Sequence, residues 1–446
     1  MKQKKKTVRM SARSIVILLV CVMLLSVLGT IGVMTLLDKD ENVTANKETI
    51  QKETTSELLQ HDTTLDIEDT NQTENIESTE NTENQTTGEV ITEAVTEVPT
   101  EPPTSSTEPK TVEERAQELL STMTIEEKVG QMFISRCPET DAVSEVQKYH
   151  LGGYILFARD FEGETPDSLK QTIDSYQSAS KIGMLIGVDE EGGTVVRASR
   201  YPQFRSARFN SPMNIYKSGG VAALKQDSAE KSQLLLSLGV NMNFAPVCDL
   251  PDSADDFMYD RSFGLDVNDA IEGVSALVQQ MNADNMVSVL KHFPGYGNNV
   301  DTHTGVAVDT RPMQEFREND FRPFQAGMQN NGPCVMVSHN IINCMDESAP
   351  ASLSAPVHEV LRNELGFKGV IVTDDLSMDA ITTFAGNAQA AVLAVQAGND
   401  LLCVSDYTTQ VPAVIDAVKN GTISEERINE SVVRILIMKM KFGIIK

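Results

Sequence analysis

One stretch of fifteen residues, Lys291-His-Phe-Pro-Gly-Tyr-Gly-Asn-Asn-Val-Asp-Thr-His-Thr-Gly305, concentrates side chains able to do chemistry. Gly295 and Gly297 permit a sharp backbone turn. Asp301 and His303 stand two apart in the loop that follows, a spacing at which a carboxylate can orient an imidazole. A histidine held in this way donates and accepts protons near neutral pH. A second stretch, Val372-Thr-Asp-Asp-Leu-Ser-Met378, sets Asp374 directly after an apolar β-branched run. A third, Gly187-Val-Asp-Glu-Glu-Gly-Gly-Thr-Val-Val-Arg197, carries Asp189 and Arg197, and a fourth, Tyr259-Asp-Arg-Ser-Phe-Gly264, carries Arg261. Lys291 and His292 close another apolar run.

These residues need elements to bring them together. Eight short apolar runs recur: Gly130–Ile134, Gly153–Phe157, Met184–Val188, Val240–Phe244, Val287–Leu290, Cys334–Val337, Gly369–Val372 and Asp400–Val404. Helical patterns lie between them, among them Ala222–Leu238, Val267–Ala283 and Gln314–Asn330. Continuous apolar runs alternating with helices predict parallel strands covered on both faces. Eight such units predict an α/β fold, a single (β/α)8 TIM-type barrel over residues 111–446. An open doubly wound sheet is the rival, but no Gly-rich phosphate turn follows the first run. In a barrel the site lies at the C-terminal strand ends, which is where Asp189, Asp249, Lys291, His292, His339 and Asp374 fall.

The rest of the chain is of different composition. The 446 residues carry a net charge of −27. Residues 1–37 contribute +6, residues 38–110 contribute −15 and the barrel −18. Net acidity argues against a nucleic-acid partner. Ile15 to Leu37 is a 23-residue stretch without charge, behind a basic flank. That length suits a transmembrane anchor with the remaining chain outside the cell membrane; a cleaved signal followed by secretion is the alternative. Cys21 reads as an apolar membrane residue, since Val20 is a poor fit to a lipoprotein signal. Residues 38–110 hold 19 acids, 17 Thr and no Phe, Tyr or Trp. Such a segment is predicted to be a disordered linker, spanning about 45–50 Å as a flexible chain. The five remaining cysteines read as small buried side chains.

The motifs resemble glycoside hydrolase family 3, specifically its β-N-acetylglucosaminidase (β-hexosaminidase) branch. That branch is similar in its KHFPGHG…DSH loop, its [ST]D-[DA]-L-x-M strand end and its VD-x-EGG-x-V-x-R segment. The resemblance covers residues 112–446 and implies a barrel that removes terminal β-linked N-acetylglucosamine with retention. It implies Asp374 as nucleophile, His303 as acid/base and Asp301 as the carboxylate pairing with that histidine. It assigns Asp189, Arg197, Arg261, Lys291 and His292 to sugar binding. Tyr296 departs from the branch, where a second histidine is usual, so loop packing is expected to differ. Because the chain ends soon after the last barrel helix, the acid/base is expected from the barrel itself.

A retaining glycosidase needs a carboxylate on one face of the anomeric carbon and a proton donor on the other. With a carboxylate–histidine pair as acid/base, phosphate can compete with water, so a phosphorylase is an alternative. A β-glucosidase or xylosidase of the family is another, and a non-catalytic glycan-binding barrel a third. No cofactor and no metal are expected, and the barrel is expected to be monomeric. Plainer roles apply elsewhere. Asp375 reads as structural, one of Glu190 and Glu191 as solvated, and Gly192-Gly193 as a tight turn. His292 has a backbone-satisfied alternative, His339 is balanced between site lining and structure, and His150 and His358 read as surface residues. Met438-Lys439-Met440 reads as core-facing packing.

Overall fold

Strand formation follows the apolar runs, because each strand is covered on both faces. The computed structural model describes residues 109–297, 299, 305 and 307–445. The barrel strands are β1 Phe133–Arg136, β2 Gly153–Leu156, β3 Leu185–Val188 and β4 Met242–Asn243, followed by β5 Val287–Phe293, β6 Cys334–Val337, β7 Val370–Thr373 and β8 Leu402–Val404. They pair in parallel in the order β8-β1-β2-β3-β4-β5-β6-β7. A bridge between Val372 and Leu401 brings β7 back beside β8, nearly closing the ring. All eight predicted runs therefore overlap a strand.

Two runs differ in detail. Gly130 and Gln131 close the helix Ile125–Gln131 instead of opening β1. A side chain at Gly130 would lie 2.3 Å from the Tyr149 carbonyl oxygen, so the glycine answers to helix packing. The fourth run pairs regularly over only two residues, then continues as an isolated Val247–Lys291 bridge. That extension carries the chain toward Asp249.

The predicted helix Val267–Ala283 is observed with those bounds. The Ala222–Leu238 pattern belongs to Pro212–Ser237, broken at Gly219 and Gly220. The Gln314–Asn330 pattern is split by a π-turn, Phe316–Asp320, which leaves Asp320 buried. Both Asp320 oxygens accept from Arg311, which also chelates Asp309. The cluster abuts the Lys291–Gly305 stretch: a Cβ at Gly295 would meet Asp320, one at Gly297 would meet Arg311, and Asn299 donates to Asp309 at 2.8 Å.

Beneath β1, Lys439 is fully buried and donates to Gln131 Oε1 at 2.7 Å and the Gly152 carbonyl at 2.9 Å. Met438 beside it is core, as expected. Cys137, Cys248, Cys334 and Cys403 are buried, whereas Cys344 is exposed, contrary to expectation, on the loop after the short Ile341–Ile342 strand. His358 is a second correction: it is buried and hydrogen-bonds the Ser354 carbonyl through Nδ1 at 2.7 Å. The anchor at 1–37, with Cys21, and the linker up to residue 108 lie outside the described residues. No described helix is long and apolar enough to cross a membrane.

Candidate active site

β3 delivers three consecutive carboxylates to the barrel mouth, and each has separate partners. Asp189 Oδ1 accepts from Lys291 Nζ at 2.9 Å, and its Oδ2 lies 3.3 Å from Arg197. Glu191 lies 2.7 Å from Lys291 Nζ, and Arg261 grips it at 2.8 and 3.0 Å through two nitrogens. Glu190 points elsewhere. It accepts the backbone N–H groups of Arg197 and Ala198 at 2.8 Å and Ser199 at 3.2 Å, and the Ser199 hydroxyl. Both glutamates are buried, so the expectation that one is solvated is overturned. The reason is local: the chain doubles back at Gly192-Gly193, both at positive φ, and returns its amides to Glu190. The Gly-Gly pair is the expected tight turn.

The result is a relay, Arg197–Asp189–Lys291–Glu191–Arg261, buried at Lys291 and Glu191 and half-buried elsewhere, assembled from the ends of β3, β5 and the loop after β4. Burial alone would raise the Glu191 carboxyl, but the adjacent Lys291 and Arg261 hold it well below the carboxylate range. Burial likewise works against the Lys291 ammonium, and Asp189 and Glu191 outweigh it, raising its pKa. Lys231, from the helix Pro212–Ser237, donates to the Glu191 carbonyl at 3.0 Å and fixes the turn from behind.

His292 is held by Asp249. That buried carboxylate accepts His292 N–H at 3.0 Å, lies 2.7 Å from Nδ1, and accepts Tyr296 N–H at 2.9 Å. An ionised carboxylate only accepts, so Nδ1 carries the proton. Tyr296 is buried with its ring edge-on to His292 and Phe257, centroids 5.3 Å away in both cases. The tyrosine thus packs on the site histidine. Asp249 falls at a strand end, as the sequence placed it, and its task of holding His292 comes from the structure; Lys231 was not predicted as a site residue.

Asp374 follows β7 directly. Its N–H donates to the Val337 carbonyl at 3.1 Å, and its Oδ1 accepts from Asp375 N–H at 2.8 Å. Asp375 accepts from Ser377 N–H at 2.9 Å and the Ser405 hydroxyl at 2.5 Å, a structural role as expected. His339 is buried between the Ser352 hydroxyl at 2.8 Å and the Asp375 carbonyl at 3.0 Å. A carbonyl only accepts, so Nε2 donates, and His339 braces the strand end that bears Asp374. The thiol of Cys403 on β8 reports convergence. Burial raises its pKa, Asp375, Asp374 and Asp189 push the same way, and Lys291 opposes them. Those four charges therefore lie within electrostatic reach of one residue of β8. Asp301 and His303 lie outside the described residues.

Comparison with known proteins agrees with this architecture. The "Glycosyl hydrolase family 3 N terminal domain" matches residues 124–438. "Beta-hexosaminidase A" of Pseudoalteromonas piscicida is 30% identical over 328 residues, 66% of this chain and 54% of that protein. The chain thus spans about half that relative's length. "Beta-hexosaminidase LpqI" of Mycobacterium tuberculosis is 32% identical over 312 residues, 67% of this chain and 78% of that one. The solved family 3 β-N-acetylglucosaminidase of Paenibacillus sp. str. FPU-7 superposes with a TM-score of 0.67 at 29% identity, covering 72% of this chain and 63% of that one. With the barrel, the relay at its mouth and a family match over most of the folded part, the chain belongs to glycoside hydrolase family 3, in its β-hexosaminidase branch.

Proposed function

We propose that the protein is a retaining β-N-acetylhexosaminidase acting on glycans capped by β-linked N-acetylglucosamine, such as cell-wall fragments. The observation that carries this reading is the relay of Asp189, Lys291, Glu191 and Arg261 at the barrel mouth, of which Asp189 and Lys291 lie, like Asp374, within electrostatic reach of Cys403 on β8. Groups of alternating charge, already desolvated, bind ring hydroxyls by charge-assisted hydrogen bonds without further reorganisation. Asp189, Arg197, Arg261, Lys291 and His292 hold the terminal sugar. Asp374 attacks the anomeric carbon while His303, oriented by Asp301, protonates the departing oxygen. The bond from sugar to leaving group breaks as the bond to Asp374 forms. His303 then takes a proton from water, which attacks the same carbon and releases Asp374.

The basic flank and Ile15–Leu37 support a membrane anchor that holds the barrel outside the cell. Fractionation separates this from secretion: the anchor reading expects full-length chain in the membrane pellet. The activity is tested with a chromogenic β-N-acetylglucosaminide, assayed with and without inorganic phosphate. Release of N-acetylglucosamine at a phosphate-independent rate is expected. Sugar 1-phosphate as main product identifies a phosphorylase instead. A glucoside or xyloside cleaved faster identifies the neutral-sugar activity, and binding without turnover identifies a glycan-binding barrel.

A further inference from the structure

Arg311 holds two buried carboxylates at once. Its Nε and Nη2 donate to Asp309 Oδ2 at 3.0 and 2.8 Å, and its Nη1 donates to Asp320 Oδ2 at 3.1 Å. The guanidinium also lies over the Phe316 ring, 4.4 Å from the centroid. These three ionic groups stand apart from the relay, yet each meets the stretch that leaves β5. A Cβ at Gly295 would stand 2.3 Å from Asp320 Oδ1, and one at Gly297 would stand 2.6 Å from the Arg311 guanidinium carbon. Asn299 Nδ2 donates to Asp309 Oδ2 and to the Tyr296 carbonyl, both at 2.8 Å. The chain returns through the same cluster. Val308–Asp309 pairs in parallel with Ile341–Ile342, and the Ala307 carbonyl accepts Ile341 N–H at 2.8 Å. Asp309 Oδ1 then accepts Arg311 N–H at 2.9 Å.

The outgoing end, Gly295 to Asn299, and the returning end, Ala307 to Arg311, are thus held by one ion cluster. In the sequence, Asp301 and His303 stand between those two ends. A buried ion cluster adds little net stability over apolar packing of similar volume. What a planar guanidinium gripped by two carboxylates supplies is a fixed geometry. A proton donor depends on that, because a misplacement of about 1 Å costs about a hundredfold in rate.

We propose that Arg311, gripped by Asp309 and Asp320, is a positioning residue for His303: it fixes both ends of the segment that carries this histidine and so sets where the imidazole stands. The kinetic consequence of that placement rests on the reading of His303 as acid/base.

The test compares two aryl β-N-acetylglucosaminides. 2,4-Dinitrophenolate departs without a proton, whereas 4-methylphenol needs one, so only the second substrate reports on the acid. Arg311→Lys keeps the charge and loses the fork. It is expected to lower kcat/KM about a hundredfold on the 4-methylphenyl substrate and to leave the dinitrophenyl substrate within about threefold. His303→Gln should show the same pattern. Equal losses on both substrates in Arg311→Lys, the mark of a merely structural role, overturn the assignment, and so does no loss on either. Should Arg311→Lys not fold, Asn299→Ala cuts the tie to Asp309 and leaves the ion cluster intact. The same pattern at about tenfold is expected there, and equal effects on both substrates overturn the assignment. Histidine NMR, with the His303 signal identified by its loss in His303→Gln, separates this from the catalytic reading. Arg311→Lys is expected to move the His303 signal and leave that of His150 in place. A moved signal, with His303→Gln losing both substrates equally, keeps the positioning and removes the acid/base. An unmoved His303 signal overturns the positioning whatever the kinetics.

Discussion

At the scale of single residues, Lys291 is the ammonium shared by two carboxylates inside the barrel mouth. Removing it leaves Asp189 short of a partner and Glu191 dependent on Arg261 alone. Lys291→Ala is expected to cost about 3–5 kcal/mol of stability, as breaking a buried pair does, and to remove most activity. Denaturant unfolding and kcat/KM together check this, and an unchanged midpoint contradicts the account. Glu190 has a different task, accepting three backbone amides. Glu190→Gln should cost about 1–3 kcal/mol and weaken substrate binding by displacing Arg197, which a raised KM reveals. The motif around Gly187–Arg197 made Asp189 and Arg197 legible as candidates. It did not separate the two glutamates, because Glu190 is held by the amides of Arg197, Ala198 and Ser199, seven to nine residues away, and Glu191 by Arg261 and Lys291, far off in sequence. His358 was misjudged for a similar reason: nothing local to it announces that Gly398 and Asn399, in the turn before β8, pack against it.

At the scale of elements, the strands were legible because burial on both faces writes itself as a continuous apolar run. Where another element was also apolar, as at Gly130, the boundary blurred. The π-turn at Phe316–Asp320 was not legible, since a single extra residue in a helix leaves the apolar period almost intact. The last helix, Glu425–Lys441, carries an element-scale prediction through Lys439. Burial lowers its pKa to about 7 from 10.5. Between those values the unfolded chain binds a proton that the folded one does not. Stability therefore rises with pH across that window, and below it the full penalty applies. Lys439→Met should flatten this rise between pH 7 and 10, read as unfolding midpoints at both pH values. A slope unchanged by the substitution contradicts the assignment of the titration to Lys439.

At the scale of the whole molecule, closure of the barrel depends on Asp400, just before β8. It is fully buried and accepts from Arg362, Arg434, Ser431 and the Ile371 amide. Asp400 thus joins β7, the helical segment holding Arg362 and the last helix at the point where the ring meets itself. Asp400→Asn strips the charge from among the arginines and is expected to lower stability by about 3–5 kcal/mol, with the residual activity of folded protein unchanged. Loss of activity without loss of stability would show Asp400 to act on the site instead. These partners lie 29 to 38 positions away in sequence and could not be read from composition or periodicity. The central claim concerns Asp374, and the most direct measurement is mass spectrometry of protein quenched in acid during turnover of an activated β-N-acetylglucosaminide. The account predicts one N-acetylglucosaminyl group on the peptide containing Asp374, absent from Asp374→Ala protein. A glycosylated peptide elsewhere, or strong turnover by Asp374→Ala, would contradict it.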